Sequence, residues 1–329
     1  MHPIKQIAAV FNKYPDLGDL SWVGENPRMP GLILGFCDGD SVFTDTSGEF
    51  LTLRQRLSER GEAINGVASI GQSMYAASTR SEITIFESRD RRSRPVVTMP
   101  YGAHGVVATK SGIMLAPMGH DGFITSRQSA PGDDTLTVVH GSEPGRYFYH
   151  AAALDDGHGA ESVIFAGRRG GFGVIAFDSA GETPLLRIAR DDLDIIDVCA
   201  VAPGSLSAVA VSKFGEGVFI QDAPRGNVAT DFTLAGIVGP IRKILATPRH
   251  LFVLSSKTFR VAIGLTAAIL HGDIGGAMPT FDIDVDAHGM ALVGGYILLL
   301  MANGNVECMG VDDADIGAAD RAPMRVLRR

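Results

Sequence analysis

The sequence predicts an all-β chain organised as a seven-bladed β-propeller, with four short antiparallel strands in each blade. Three observations carry that expectation. A unit of three or four short apolar runs recurs along the chain. Its spacing falls in the range of about 40–45 residues typical of propeller repeats. The 329 residues include 40 glycines, well above the roughly 7% of an average protein, which suits many tight turns between short strands.

The unit is plainest in "INGVASIGQSMYAASTRSEITIFES", Ile64 to Ser88, where three apolar runs are separated by two small polar turns. Copies begin at Leu20 ("LSWVGENPRMPGLILGFCDGDSVFTD"), Ala103, Tyr149, Ile195, Ile241 and Phe281. The second runs start near Gly31, Ser73, Ile113, Ser162, Ser207, Leu251 and Tyr296, giving intervals of 42, 40, 49, 45, 44 and 45 residues. Most third runs are followed by a fourth, such as "FLTLRQRL", "PVVTM", "TLTVVH" and "TPLLRIA". The predicted blades cover 19–58, 63–100, 101–141, 147–190, 193–236, 239–275 and 280–329, all within one domain. "IKQIAAVFN" (Ile4 to Asn12) and "PMRVLRR" (Pro323 to Arg329) both read as strands, so the ring is expected to close in the last blade, with residues 1–12 as the closing strand. A lone four-stranded blade cannot bury both faces, whereas stacked neighbours bury them and leave only short edges.

Units such as "VCAVAPGSLSAVAVSKFGEGVFIQD" and "VASIGQSMYAASTRSEITIFE" resemble WD-repeats, in which an apolar strand, a small turn, a second strand, a polar turn and an "IRLWD"-like strand follow one another. The resemblance spans nearly the whole chain. It departs from the family where the sharper signatures stand: the single tryptophan is Trp22, so no Trp-Asp pair occurs, and Phe86-Glu87, Phe177-Asp178 and Gln221-Asp222 take its place. The resemblance implies a divergent WD-like propeller and, with it, a role in binding proteins.

Charge and cysteine usage narrow the function classes. A net charge of −8 argues against a broad nucleic-acid-binding face. The basic clusters "RDRRSR" (Arg89 to Arg94), Arg168-Arg169 and "RVLRR" read as solvated loops or ends. Cys37, Cys199 and Cys308 are odd in number and more than a hundred residues apart, so buried reduced thiols are expected rather than a disulfide framework. The N-terminus lacks the basic start, apolar stretch and cleavage site of a signal peptide. "ALVGGYILLLMA" falls short of the ~18 apolar residues of a membrane span. A cytoplasmic protein without a membrane partner is therefore expected.

Ligands of propellers bind where the innermost strands begin, at the mouth of the central channel. The residue before the first core apolar position gives the row Ser21, Gly66, Gly105, Ala151, Asp197, Lys243 and Asp282; one step earlier gives Leu20, Asn65, His104, His150, Ile196, Arg242 and Phe281. A slip of one residue turns a strand's side chains to its other face, so both rows supply candidates: Ser21, Asn65, His104, His150, Asp197, Arg242, Lys243 and Asp282. His104 and His150 with Asp197 have the chemistry of an acid–base pair with an orienting carboxylate, or of three metal ligands. Arg242 suits a carboxylate or phosphate. Such positions are also wet, and polar residues there need no function. "DDADIGAAD" (Asp312 to Asp320) lacks calcium-loop spacing. "CDGD", "GHDG", His158 and His288 read as turns, and "GRRGGFG" joins two strands, so it is not a phosphate loop.

The expected function is that of a non-catalytic interaction module without cofactor or metal, binding a protein partner through the channel mouth with Trp22, His104, His150, Arg242 and Lys243 as anchors. The alternative is a small-molecule enzyme, a lyase or hydrolase, using His104 or His150 as base, Asp197 or Asp282 as orienter or metal ligand, and Arg242 to hold an anionic ligand.

Overall fold

The computed structural model describes residues 1–70, 74–89, 92–109, 114–119, 121–128, 136–141, 147–155, 161–168, 172–178, 181–182, 186–188, 193–201, 205–223, 229–234, 237–256, 258–263, 280–282, 287–311 and 325–327. Among them the regular elements are one helix, α1 (Pro3–Lys13), and a succession of short strands.

The strands pair into seven antiparallel sheets, each made of consecutive strands. The first holds β1–β4 (Leu20–Glu25, Leu32–Phe36, Asp40–Asp45, Leu51–Arg56) and the second β5–β8 (Gly66–Ile70, Met74–Ser78, Ile83–Arg89, Arg92–Met99). The third holds β9–β12 (Val107–Ala108, Met114–Pro117, Phe123–Gln128, Leu136–Gly141). The fourth holds β13–β17 (Tyr147–Asp155, Glu161–Arg168, Phe172–Asp178, Gly181–Glu182, Leu186–Ile188), with β16 and β17 both paired to β15. The fifth holds β18–β21 (Ile195–Ala200, Ala208–Ser212, Glu216–Ile220, Ala229–Thr233), and the sixth β22–β25 (Ile241–Ala246, His250–Ser255, Thr258–Ile263, Thr280–Asp282). The seventh holds β26–β29 (Ala287–Val293, Tyr296–Met301, Val306–Gly310, Arg325–Leu327). Meanders of this kind make a β-propeller. The second strands of sheets one, two, three, five and six are buried at every position. Burial on both faces explains why they read as unbroken apolar runs rather than as alternating ones.

The chain divides into two compact units: Met1–Val106, Gln128–Thr135 and Val285–Arg329 form one, Val107–Arg127 and Leu136–Asp284 the other. In the first unit, α1 covers a core made by Leu20, Leu34 and Phe36 of the first sheet with Val293, Leu298 and Leu300 of the seventh. Residues 1–12 are therefore not the expected closing strand. Pro3, Gln6, Ile7 and Val10 are the buried positions, and that spacing fits the helical period rather than the strand period. His2 caps the helix by accepting the Ile4 N–H on Nδ1 at 3.2 Å, and Pro3 occupies the first turn, where its missing N–H costs nothing. Gln6 anchors the helix from below: it accepts from the Thr44 hydroxyl at 2.8 Å and donates to the Met1 carbonyl at 2.9 Å. The C-terminal strand, Arg325–Leu327, is the outermost of the seventh sheet.

The other face of the first sheet packs Trp22, Ile33 and Phe43 against Ile64, Val67, Tyr75 and Phe86 of the second-sheet region. The Trp22 ring lies over Gly24, where an added Cβ would stand 2.5 Å from it. In the second unit, Leu115, Phe148 and Phe165 fill the space between the third and fourth sheets. Leu154, Ile164, Val198 and Ala210 join the fourth and fifth, and Val209, Val211, Ile244 and Val253 the fifth and sixth.

Three further expectations are corrected. Thr280–Asp282 is the outermost strand of the sixth sheet, paired with Thr258–Arg260, so the last unit does not open at 280; its inner strand begins at Ala287. Cys37 is exposed, in the turn between β2 and β3, while Cys199 and Cys308 are buried; all three are free thiols. His288 lies in β26, not in a turn. His158 and 312–320 lie outside the described residues. No helix among the described residues is long and apolar enough to cross a membrane.

Candidate functional site

Five innermost strands share one irregularity. The pairing register slips at Leu20/Trp22, Phe148/His150, Ile195/Asp197, Ile241/Lys243 and Ala287/Gly289. Each strand thus starts with a buried apolar residue, then an extra residue that has no partner across the ladder, then a residue back in register. The extra residues are Ser21, Tyr149, Ile196, Arg242 and His288. The residues that follow are Trp22, His150, Asp197, Lys243 and Gly289.

In the first unit the position after the leading apolar residue ties one sheet to the next. The Ser21 hydroxyl donates toward the Ile64 carbonyl at 2.9 Å and lies 3.1 Å from the Gly35 carbonyl. Asn65 Nδ2 donates to the Ala103 carbonyl at 2.9 Å. His288 Nε2 lies 3.2 Å from the Leu20 carbonyl; because the carbonyl only accepts, the proton sits on Nε2. In each bond the residue after a leading apolar position reaches the carbonyl that opens the following sheet. Ser21, Asn65 and His288 are therefore equivalent, a chain of neutral staples from the seventh sheet through the first and second to Ala103.

The second unit does the same work with charge, one residue further along. Asp197 is fully buried and its Oδ2 accepts the Ile244 N–H of the sixth sheet at 2.7 Å. Its Oδ1 makes no hydrogen bond and faces His150 Nδ1 of the fourth sheet and Lys243 Nζ of the sixth, each at 3.6 Å. One carboxylate thereby links three neighbouring inner strands, β13, β18 and β22. The side chains of His150 and Lys243 are 29% and 33% exposed, so both reach solvent while Asp197 does not. Burial pushes the Cys199 thiol far up, and the Asp197 carboxylate adds to this while Lys243 opposes it, leaving a thiol that stays protonated and inert.

The structure brings together three of the predicted residues, His150, Asp197 and Lys243. Ser21 and Asn65 are staples. Trp22 is half-buried against the core between the first two sheets, so it packs rather than projects as an anchor. His104 belongs to the other unit from His150. It is exposed, yet the protein around it desolvates the imidazole enough to hold it below its ordinary value. Arg242 is the extra residue of β22 and is exposed. Asp282 sits on the outermost strand of the sixth sheet, and the equivalent inner-strand position in the seventh is Gly289. No group of three or more histidine, cysteine, aspartate or glutamate side chains among the described residues is arranged to hold a metal ion.

His288 was missed, although its signal was present. In other copies the inner-strand residue precedes the second run by about ten positions or fewer, as from Asp197 to Ser207 or Lys243 to Leu251. Asp282 precedes Tyr296 by 14, which already marked it as lying too early.

No protein-family model matches this chain, and no curated protein matches it in sequence. Its fold is similar to solved structures. The crystal structure of Sqt1 from Saccharomyces cerevisiae superposes with a TM-score of 0.64 at 11% identity, covering 94% of this chain and 85% of that one. KlAtg21, in a complex with the coiled-coil of AgAtg16, superposes with a TM-score of 0.59 at 12% identity, covering 94% and 98%. At these identities the likeness is one of fold, the β-propeller.

Proposed function

We propose that the chain is a non-catalytic protein-interaction module, a subunit of a larger cytoplasmic assembly whose partner docks at the end where the inner strands begin. One observation carries this reading: the side chains best suited to chemistry there are already bonded between sheets. Ser21, Asn65 and His288 donate to neighbouring carbonyls, and Asp197 holds a backbone N–H beside the His150 and Lys243 side chains. Groups engaged in this way make a stiff frame, which suits a surface whose loops provide the contacts.

In this reading the seven sheets are seven blades. A count of regular blades gives five, against seven hydrogen-bonded sheets. We assign the difference to the third sheet, whose inner strand β9 is two residues long, and the fourth, whose outer edge is split between β16 and β17. The fold likeness to KlAtg21, solved with a coiled-coil partner, supports a protein ligand.

The enzyme alternative, a lyase or hydrolase, rests on the approach of His150 Nδ1 to Asp197 Oδ1 at 3.6 Å, the geometry of a base and its orienting carboxylate. Affinity purification of the tagged full chain from its native cytoplasm separates the two. The module reading expects a stoichiometric protein partner that is retained by a folded His150→Ala variant. A protein recovered alone, with a small molecule or metal in its denatured extract, overturns it.

A further inference from the structure

We propose that Phe214 and Val238 form the centre of a docking surface for an acidic protein segment that presents one large apolar side chain. The proposal rests on the interaction-module reading and names the surface and the partner chemistry. Phe214 lies in the turn between β19 and β20, and Val238 in the segment that enters β22. In an antiparallel meander, the turn from second to third strand and the segment entering the next inner strand lie at the same end of the sheet. That is the end where Asp197 and Lys243 stand.

The two residues are built on one rigid platform. The Ile241 N–H donates to the Lys213 carbonyl at 2.9 Å, and the Leu234 N–H to the Gly215 carbonyl at 2.8 Å. The Ser255 hydroxyl donates to the Val238 carbonyl at 2.8 Å. The turn itself has no need of an aromatic: Gly215 supplies the left-handed conformation with φ +96°, and Ser212 Oγ accepts from the Phe214 and Glu216 N–H groups at 3.3 and 3.2 Å. Yet Phe214 is 78% exposed, the most of any large apolar side chain among the described residues, and Val238, at the same end of the sheet, is 49% exposed. An exposed aromatic with an aliphatic neighbour on a fixed backbone is the composition of an interface anchor.

Charge selects the partner. Lys213 Nζ stands 5.9 Å from the Phe214 ring centre, and Arg242, exposed, follows directly after Ile241. Glu216, two residues beyond Phe214, has its carboxylate 3.4 Å from the Ser212 hydroxyl. A lysine head beside an exposed ring matches an apolar side chain flanked by aspartate or glutamate. A single lysine head falls short of the clusters of several basic residues through which an anionic membrane is bound.

Selection of random dodecapeptides displayed on phage, against the immobilised full chain, tests this. Enriched peptides are expected to carry an aromatic or large aliphatic residue beside Asp or Glu. Their affinity should weaken at least about tenfold on Phe214→Ser and should fall on Lys213→Glu and with added salt. Phe214→Ser should melt as the parent does, since the ring packs on nothing in the core. Peptides that bind Phe214→Ser undiminished overturn the docking surface but leave the module reading standing. Basic peptides, Phe214-dependent binding to phosphatidylserine vesicles, or Phe214-dependent self-association in sedimentation would each overturn the partner class. No enrichment at all would overturn the proposal, while a native partner recovered by affinity purification would still uphold the module.

Discussion

The two units join their sheets by different chemistry at nearly the same place. In the first, Ser21, Asn65 and His288 each donate to a carbonyl of the next sheet region, and α1 covers the seam between the first and seventh sheets. In the second, one buried carboxylate serves three strands, beside the His150 imidazole and the Lys243 ammonium. Neutral staples are separable, because losing one leaves a single carbonyl that water can reach or replace. A buried charge is not separable: remove one partner and the others are left uncompensated in a poorly solvating interior. The first unit should therefore lose stability in small steps and the second in one large step.

Substitutions can break that contrast, and the largest effect is expected at Asp197. Asp197→Ala removes the acceptor of the Ile244 N–H and the group shared by His150 and Lys243, and should cost roughly 3–5 kcal/mol in denaturant unfolding. Asp197→Asn, which keeps an acceptor for the Ile244 N–H, should cost less. Ile7→Ala, at the centre of the helix seam, should cost about 2–4 kcal/mol by the same measurement. Gly24→Ala, which pushes a methyl group into the Trp22 ring, should cost about 1–3 kcal/mol, with a change in tryptophan fluorescence because Trp22 is the only tryptophan. Ser21→Ala and Asn65→Ala should each cost about 0.5–1.5 kcal/mol, and their double variant should be close to additive.

The smallest effect concerns pH. The His104 imidazole is held below its ordinary value of 6.5 by desolvation, so the unfolded chain binds its proton first as pH falls. Stability from this group is therefore complete above pH 6.5 and declines as pH drops from there toward the lowered folded value. His104→Gln should flatten that part of a stability–pH curve.

Much of this was legible in the sequence. The second strands begin at Leu32, Met74, Met114, Glu161, Ala208, His250 and Tyr296, each within one residue of the positions read from the repeat, because doubly buried strands are unbroken apolar runs. The inner strands were less legible. The unpaired extra residue after the first apolar position sets the true alignment: Ser21 belongs in the row of Ile196 and Arg242, and His150 in that of Asp197 and Lys243, each one position from where the repeat had put it. The last inner strand was misplaced because "TFDIDVD" and "AHGMALV" alternate equally well, and only pairing to β24 assigns the first to the sixth sheet. Residues 1–12 misled for a related reason. "IKQIAAVF" is apolar enough for either structure, and the helix is decided by what Ile7 and Val10 bury against. Phe214 carried no signal in the sequence, since an apolar residue in a turn is conspicuous only once its exposure is known.

In the module reading, the polar side chains that open the inner strands are frame, and contact lies on the loops above them. Denaturant unfolding and partner binding, measured together on Asp197→Ala and Phe214→Ser, separate the two roles. Asp197→Ala should unfold at markedly lower denaturant but still bind under conditions where it remains folded, while Phe214→Ser should unfold with the parent and lose binding. An Asp197→Ala protein of parental stability that fails to bind would contradict that reading, and would return the His150–Asp197–Lys243 cluster to the role of a working site.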